Sequence, residues 1–516
     1  MGIIQKQAIK GTVYTYIGAF LGLINMVILF PTILSPNEVG LVSILLAYAM
    51  ILSQFGSLGF NGVTTRMFPY FKTKDNKHNG YLFLLVIVTL IGFLLVSGIF
   101  LFLKPVLFEN NNAGEDAQLL LKYFFYIIPI LFFTLLFNAF DHYNKVLFNA
   151  VRGTVLREFV ARLLILVAII LYVSGILNFD EFLFAYFCAF CSPTLIISFL
   201  LIKDKQFNLR PNFKFLTKDM KKTLISVSLF GLISSATGIM TLNIDKIMIK
   251  DMLEGLSLSS VGIYATAFYF GTLMILPARS LSKISSAIVA DSWKNNDIEN
   301  INKIYYKSAL AQLTIGLFLL IGIWGNIDNI LSLLPDKYEA GKYVILLISL
   351  AYLMDMASGV GGAILVTSRK YRVHAVFTII LITLLIVTNY ILIPKYQIIG
   401  AAMASLISKL VYNFIRFIYL KYRFKLQPYD YKSILVIIVA LAVYGITYLI
   451  PHFSSFYIDI IVKNDAITVF YLDIIIRSII ITTLFVALIL SLKISEDINN
   501  SFKEYWNKFK SILTKS

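Results

Sequence analysis

Charge is scarce in this sequence. Only 14% of its 516 residues are Asp, Glu, Lys or Arg, against about 25% in an ordinary soluble domain. Together with 59% apolar residues and a mean hydropathy of +0.81, this shortage excludes a sizeable soluble catalytic domain and a disordered regulator. Cysteine is almost absent. Cys188 and Cys191 form a C-x-x-C spacing with no second cysteine pair or histidine nearby, so they read as small apolar residues rather than a redox or metal pair. The four histidines (His78, His142, His374 and His452) are scattered without ligand spacing. No P-loop, G-x-S-x-G or paired-carboxylate motif lies on a polar segment. The expectation is therefore no catalytic residue, no metal site and no resident cofactor: not an enzyme.

What is there is long apolar runs, at 11–34, 39–60, 81–103, 119–140, 156–177, 182–202, 223–249, 261–278, 308–331, 341–366, 373–393, 398–420, 432–450 and 472–492. A spanning helix needs about 20 such residues, and only helices satisfy their own backbone in lipid. The reading is an all-α integral membrane protein with fourteen transmembrane helices. Lys6 and Lys10 precede the first run, which is too long for a cleavable signal and reads as the first span.

The net charge of +17 would suggest nucleic acid on a soluble protein. Here it sorts by side. With the N-terminus placed in the cytoplasm, inner segments carry 35 basic and 12 acidic residues, and outer ones 7 basic and 14 acidic. The positive-inside rule then puts both termini in the cytoplasm, and no nucleic-acid partner is expected. At the C-terminus, Phe502, Trp506, Phe509 and Leu513 recur at helical spacing among Lys503, Lys508, Lys510 and Lys515. That pattern suits an amphipathic helix on the inner leaflet.

An internal repeat is also present. Ser35 to Leu41 (SPNEVGL) and Ser257 to Ile263 (SLSSVGI) stand 222 residues apart, and the same offset sets 176–190 against 398–412. Six spans is an even number, so the halves enter the membrane the same way up, as parallel repeats. The expected organisation is an N-lobe at 1–222 (helices 1–6), a C-lobe at 223–425 (helices 7–12), an appended helix pair at 426–494 and the amphipathic tail at 495–516.

Several short stretches resemble the multidrug/oligosaccharidyl-lipid/polysaccharide exporter superfamily, and within it the Wzx-type oligosaccharide flippases. They are Leu34 to Gly40 (LSPNEVG), Leu58 to Phe60 (LGF) with Arg66, Asn243 to Lys246 (NIDK), Val261 to Tyr264 (VGIY) and Ile399 to Ala402 (IGAA). The resemblance implies a two-lobe carrier of the bacterial inner membrane with a cationic cavity. It would move undecaprenyl-pyrophosphate-linked oligosaccharide repeat units from the cytoplasmic to the periplasmic leaflet by alternating access, for O-antigen, capsule or exopolysaccharide assembly. The implied partners are the lipid-linked oligosaccharide, membrane lipids, and polysaccharide polymerase and export proteins. Drug exporters of the superfamily stop at twelve spans and carry an acid in span 1 or 2, which this chain lacks. Lipid II flippases carry several charges in the first two spans, whereas here only Arg66 closes span 2. A lipid II flippase or a drug/cation antiporter on the same fold remains an alternative. An integral-membrane polymerase or ligase is a further one, disfavoured by outer connections of about 20 residues at most.

Carrying a pyrophosphate through hydrocarbon needs cations facing a wet groove, and arginine binds phosphate oxygens bidentately. Arg66 and Arg279 follow spans 2 and 8, repeat-related by order, and are candidates for the substrate headgroup or plain topology anchors. Asp355 and Lys409 fall near the middle of spans 10 and 12. They are expected to pair, or to face the cavity with Lys409 on substrate and Asp355 as counter-charge or proton site. Gly359, Gly361 and Gly362 would let span 10 bend beside Asp355. Asp245, next to Lys246, is a candidate for Na⁺ or H⁺ coupling, or a partner for Lys250 one turn on. Arg152, Arg157 and a Glu158/Arg162 i,i+4 pair decorate a helix end, and Asn25 and Asn243 are amides that bridge helices.

Overall fold

The computed structural model of the chain describes residues 3–105, 108, 114–253, 257–450, 466–495 and 499–500. The amphipathic-tail residues Phe502, Trp506, Phe509 and Leu513 lie outside them, as does the outer connection 451–465 with His452. Every regular element among the described residues is helical.

The long helices are α1 (Ile3–Leu23), α2 (Pro36–Gly56), α3 (Phe60–Phe71), α4 (Tyr81–Lys104), α5 (Ile127–Val146), α6 (Ala161–Val173) and α7 (Phe179–Lys203). They continue as α8 (Lys218–Met252), α9 (Ser257–Lys294), α10 (Ile298–Trp324), α11 (Lys342–Ala357), α12 (Tyr371–Phe424), α13 (Tyr431–Tyr448) and α14 (Ala466–Ser491). Their starts follow local chemistry. The Ser35 hydroxyl accepts the Glu38 amide while the Glu38 carboxylate accepts the Ser35 amide, a reciprocal cap ahead of α2 with Pro36 at its first position. Asn178 and Glu181 do the same for α7. Asp430 caps α13 through the amides of Lys432 and Ser433.

Twelve helical stretches among the described residues are long and apolar enough to cross a membrane. Eleven coincide with one expected span each. The twelfth, Arg372–Phe424, contains both expected spans 373–393 and 398–420, divided at Gln397, where φ 51° and ψ −131° leave the helical region. The remaining expected span, 156–177, falls on α6 and the π-helical turn Val155–Val160 before it.

Packing divides the chain into two compact units. One comprises Met1–Tyr269 with Ile382–Ala401, the other Phe270–Leu381 with Ala402–Ser516. In the first, the rings of Phe68, Tyr81 and Tyr143 meet at 5.4–6.4 Å inside a core built from α3, α4 and α5. Here too the repeat becomes physical. A Cβ on Gly40 would collide with the Leu258 carbonyl, and one on Gly262 with the Pro36 carbonyl. The starts of α2 and α9 therefore touch backbone to backbone, which only a small residue permits. Asp116 joins them. One of its oxygens accepts the Leu258 amide (3.0 Å) and the Ser257 hydroxyl (3.2 Å), and the other accepts the Asn37 amide (3.2 Å). These are the two segments that the 222-residue offset brings into register.

In the second unit Tyr305, Ile364, Phe377, Tyr412 and Leu420 share a buried core, and α13 and α14 pack against α10.

Candidate functional site

The first unit buries an acid. Asp245, on α8, is 2% exposed. The Tyr264 hydroxyl, from α9, donates to one of its oxygens at 2.6 Å, and the Asn389 side-chain amide, from α12, donates to the other at 2.7 Å. Tyr264 and Asn389 are fully buried. The side-chain carbonyl of Asn389 has no hydrogen-bond partner although it too is buried. Three helices thus bring a carboxylate and an amide oxygen together beside Lys246, oxygen chemistry that a proton or a small monovalent cation can use. Lys246 lies over the Phe268 ring at 6.0 Å. Lys250 reaches Asp251 at 2.7 Å and covers the Phe108 ring at 4.7 Å.

The second unit holds a chain of charges. The Lys409 ammonium donates to Asp355 at 2.9 Å, with the side chains 14% and 27% exposed, and it sits 3.4 Å above the Tyr352 ring. The other Asp355 oxygen accepts the Asn413 amide at 2.8 Å. The Asn413 carbonyl in turn accepts from the buried Arg416 guanidinium, which also donates to the Tyr412 hydroxyl at 3.3 Å. Lys409, Tyr412, Asn413 and Arg416 recur at three- and four-residue spacing, so α12 presents them on one face. Asp355 is placed by a break in its helix. After α11 the backbone turns through Ser358–Val360, with Gly359 at φ 50°, and resumes at Gly361. The Ser308 hydroxyl accepts the Val360 amide that the break frees (3.2 Å).

The expected Asp355 and Lys409 are thus brought into contact, and the expected bend beside Asp355 is present. Arg66 is exposed on α3 in the first unit, and Arg279 is exposed on α9 in the second. The Glu158/Arg162 pair forms at 2.7 Å, and Arg162 also donates to the Gly18 carbonyl and the Tyr269 hydroxyl. Arg157 donates to Asn138 at 2.9 Å, and Arg152 pairs with Asp204. The Asn25 amide bridges helices to the Arg162 carbonyl at 2.9 Å, whereas that of Asn243 returns to Ile239 within its own helix. Both cysteines are free, and no group of three potential metal ligands occurs among the described residues.

Sequence reasoning missed Arg416, which sits near a span end and resembles a topology anchor. It also missed a second buried pair. Asp473, counted as an outer-segment acid, is fully buried on α14. It takes the Arg477 guanidinium at 3.0 Å and the Asn329 amide at 2.7 Å. Arg477 further donates to the Ile450 carbonyl at 2.9 Å, at the end of α13. The i,i+4 spacing was the available signal.

Known proteins place this architecture. A family described as polysaccharide biosynthesis protein matches residues 5–289, more than half of the chain. The chain belongs to that family. Solved structures share its fold. A structure of the lipid II flippase MurJ, in an inward closed conformation, superposes with a TM-score of 0.67 at 15% identity, over 92% of this chain and 98% of that one. An inward-facing multidrug resistance MATE family transporter gives 0.62 at 13%, over 81% and 98%. The capsular polysaccharide biosynthesis protein CapF of Staphylococcus aureus is 29% identical over 180 residues, 34% of this chain and 44% of CapF. The chain therefore spans under half the length of that curated relative. The polysaccharide biosynthesis chain is a multi-pass membrane protein, all-helical among the described residues, with the fold seen in those two structures.

Proposed function

We propose that this polysaccharide biosynthesis protein is a flippase of the bacterial inner membrane. It carries undecaprenyl-pyrophosphate-linked oligosaccharide repeat units from the cytoplasmic to the periplasmic leaflet by alternating access, with both termini cytoplasmic and fourteen spans. The observation that carries this reading is the largely buried Lys409–Asp355 pair, continued through Asn413 to Arg416, on spanning helices. An ionisable group at mid-membrane costs about 2.5–3.5 kcal/mol even on the lenient insertion scale, which is sustained where it faces a wet path or a partner. Lys409 offers an ammonium to a pyrophosphate, with Asp355 as its resting counter-charge. Arg66 and Arg279 each offer a guanidinium fork to a phosphate headgroup. Asp245 is the coupling residue: a proton or Na⁺ occupies its carboxylate with help from the Asn389 carbonyl. No other cofactor is needed, and the polymerase and export machinery of a surface polysaccharide would receive the product.

The test is accumulation of lipid-linked repeat units and loss of surface glycan, with cell-wall growth intact, in cells lacking this protein. Complementation by the wild type and failure by Lys409→Ala at equal membrane abundance are expected. Arrested cell-wall growth would assign lipid II as substrate, and altered drug resistance with normal glycan would assign an antiporter. Normal export by Lys409→Ala would remove that residue from the path. Exchanging the charges (Asp355→Lys with Lys409→Asp) should restore insertion but not export; restoration of both would make the pair purely structural.

A further inference from the structure

Three connections in the first unit line an open hollow of about 730 Å³, bordered by Lys72, Thr73, Lys74, Asn76, His78, Leu147 and Gln206. None of these lining residues belongs to the Asp245 cluster or to the charged chain on α12. Its wall between α3 and α4 is held in an unusual backbone. Asn76, His78 and Asn79 all have positive φ, at 58°, 45° and 48°, followed by Gly80 at 74°. Such positions cost of order 1–3 kcal/mol each and persist where surrounding bonds over-determine them. Those bonds are present. The His78 amide donates to the Thr73 hydroxyl oxygen (2.9 Å), the Thr73 amide donates to His78 Nδ1 (3.2 Å), and the Asn79 side chain donates to the Phe71 carbonyl (3.2 Å).

This fixing decides which hydrogens remain for a ligand. Because His78 Nδ1 accepts from Thr73, Nε2 carries the proton and donates to Gln206 Oε1 at 2.9 Å. The Gln206 carbonyl is thereby occupied, and its NH₂ group is left on the lining. Lys72 covers the Phe148 ring at 4.8 Å, a contact that leaves its three N–H donors available. The one acid of the loop, Asp75, is turned to local use: it accepts from the Thr73 hydroxyl and the Lys77 amide and faces the Lys77 ammonium at 3.8 Å. The Thr73 bond, the Lys77 amide and the Lys77 charge hold its carboxyl below the usual carboxylate range. The lining therefore combines two ammonium groups, two carboxamides and no carboxylate, a set matched to an acceptor-rich anion.

We propose that this hollow binds a phosphate group, apart from the path of the transported glycan. The chemistry is shared by a dissolved polyphosphate and by an anionic lipid headgroup, and the two sources are separable. The full chain in neutral phosphatidylcholine nanodiscs is titrated calorimetrically with inorganic pyrophosphate. The background is Arg66→Ala with Arg279→Ala, so that those cations do not contribute. In parallel, nanodiscs containing phosphatidylglycerol are analysed for lipid retained by the protein in native mass spectrometry. Lys72→Gln with Lys74→Gln removes the charges from an exposed rim. Gln206→Glu keeps an acceptor for His78 while replacing the NH₂ donors by negative charge.

The expected result is saturable pyrophosphate binding, weakened tenfold or more by either change. If pyrophosphate does not bind but phosphatidylglycerol is retained, and retention falls in both variants, the occupant is the lipid headgroup and the site stands. Binding and retention equal to the parent in Lys72→Gln/Lys74→Gln, or absence of both in the parent, overturns the proposal. Surface-glycan export in these variants reports separately on the proposed transport function.

Discussion

The two units bury acid in opposite ways. In the first, each oxygen of Asp245 receives a hydrogen bond from an uncharged group, Tyr264 or Asn389. In the second, Asp355 takes the Lys409 ammonium and Asp473 takes the Arg477 guanidinium. A carboxylate neutralised by a fixed cation has its charge satisfied permanently, and removing either partner strands the other. A carboxylate solvated by dipoles keeps its charge available to a mobile proton or ion. On the proposed function, the difference would put exchange at Asp245 and cohesion or headgroup contact in the second unit.

Breaking the comparison at its strongest point means Asp473→Ala. Arg477 then remains buried without its counter-charge, and a loss of about 3–5 kcal/mol is expected, measured by denaturant or thermal unfolding of the purified protein. The double change Asp473→Leu with Arg477→Met should recover most of it, since a buried pair replaced by apolar groups costs little. A single variant as stable as the wild type would show that Arg477 finds another partner. Next is Asp355→Asn, expected to cost about 1–3 kcal/mol by the same measurement, less because the pair is partly open to water. A cost equal to that at Asp473 would mean that Asp355 is as thoroughly enclosed.

Tyr264→Phe removes one neutral donor from Asp245 and should cost about 1–2 kcal/mol while shifting the ion concentration or pH at which transport is half-maximal. The smallest effect on stability is expected for Asp245→Asn, about 1 kcal/mol or less, because the amide keeps the carboxylate's shape and can still accept from Tyr264 or Asn389. Its effect is on coupling instead: ion- or proton-driven transport in vesicles should fall tenfold or more. A variant that unfolds as readily as Asp473→Ala, or transports with unchanged ion dependence, would erase the distinction between the units.

Much of this was legible beforehand for a simple reason. Asp355 and Lys409 are isolated charges in long apolar runs, and Asp245 with Lys246 a lone pair of them, where any charge is conspicuous. Capping residues such as Ser35, Glu38 and Asn178 announce helix starts, and the Gly40/Gly262 correspondence marks the repeat. What was not legible is partnership. Tyr264 is one of thirty tyrosines, and only folding distinguishes it as the donor to Asp245. Asn389 lies 144 residues from that acid, with no spacing rule to join them. Arg416 and Asp473 stand close to span ends, where charge is ordinary, and their burial follows from packing rather than from pattern. The strained loop at 76–80 was invisible because asparagine and histidine tolerate left-handed backbone without announcing it.

The backbone contact between the starts of α2 and α9 also has a consequence for biogenesis. Gly40 and Pro36 emerge from the ribosome about 220 residues before Leu258 and Gly262, the groups they must touch. At the usual elongation rate of roughly 5–20 residues per second, that delay is about 10–45 s. Through this interval α2 sits in the bilayer with its closest interface unfilled and Asp116 without the Ser257 and Leu258 donors it will later accept from. The assembly of this protein therefore has a timed dependence on its second half, and a chain stalled or truncated before residue 257 would present that unpaired surface to insertases and proteases.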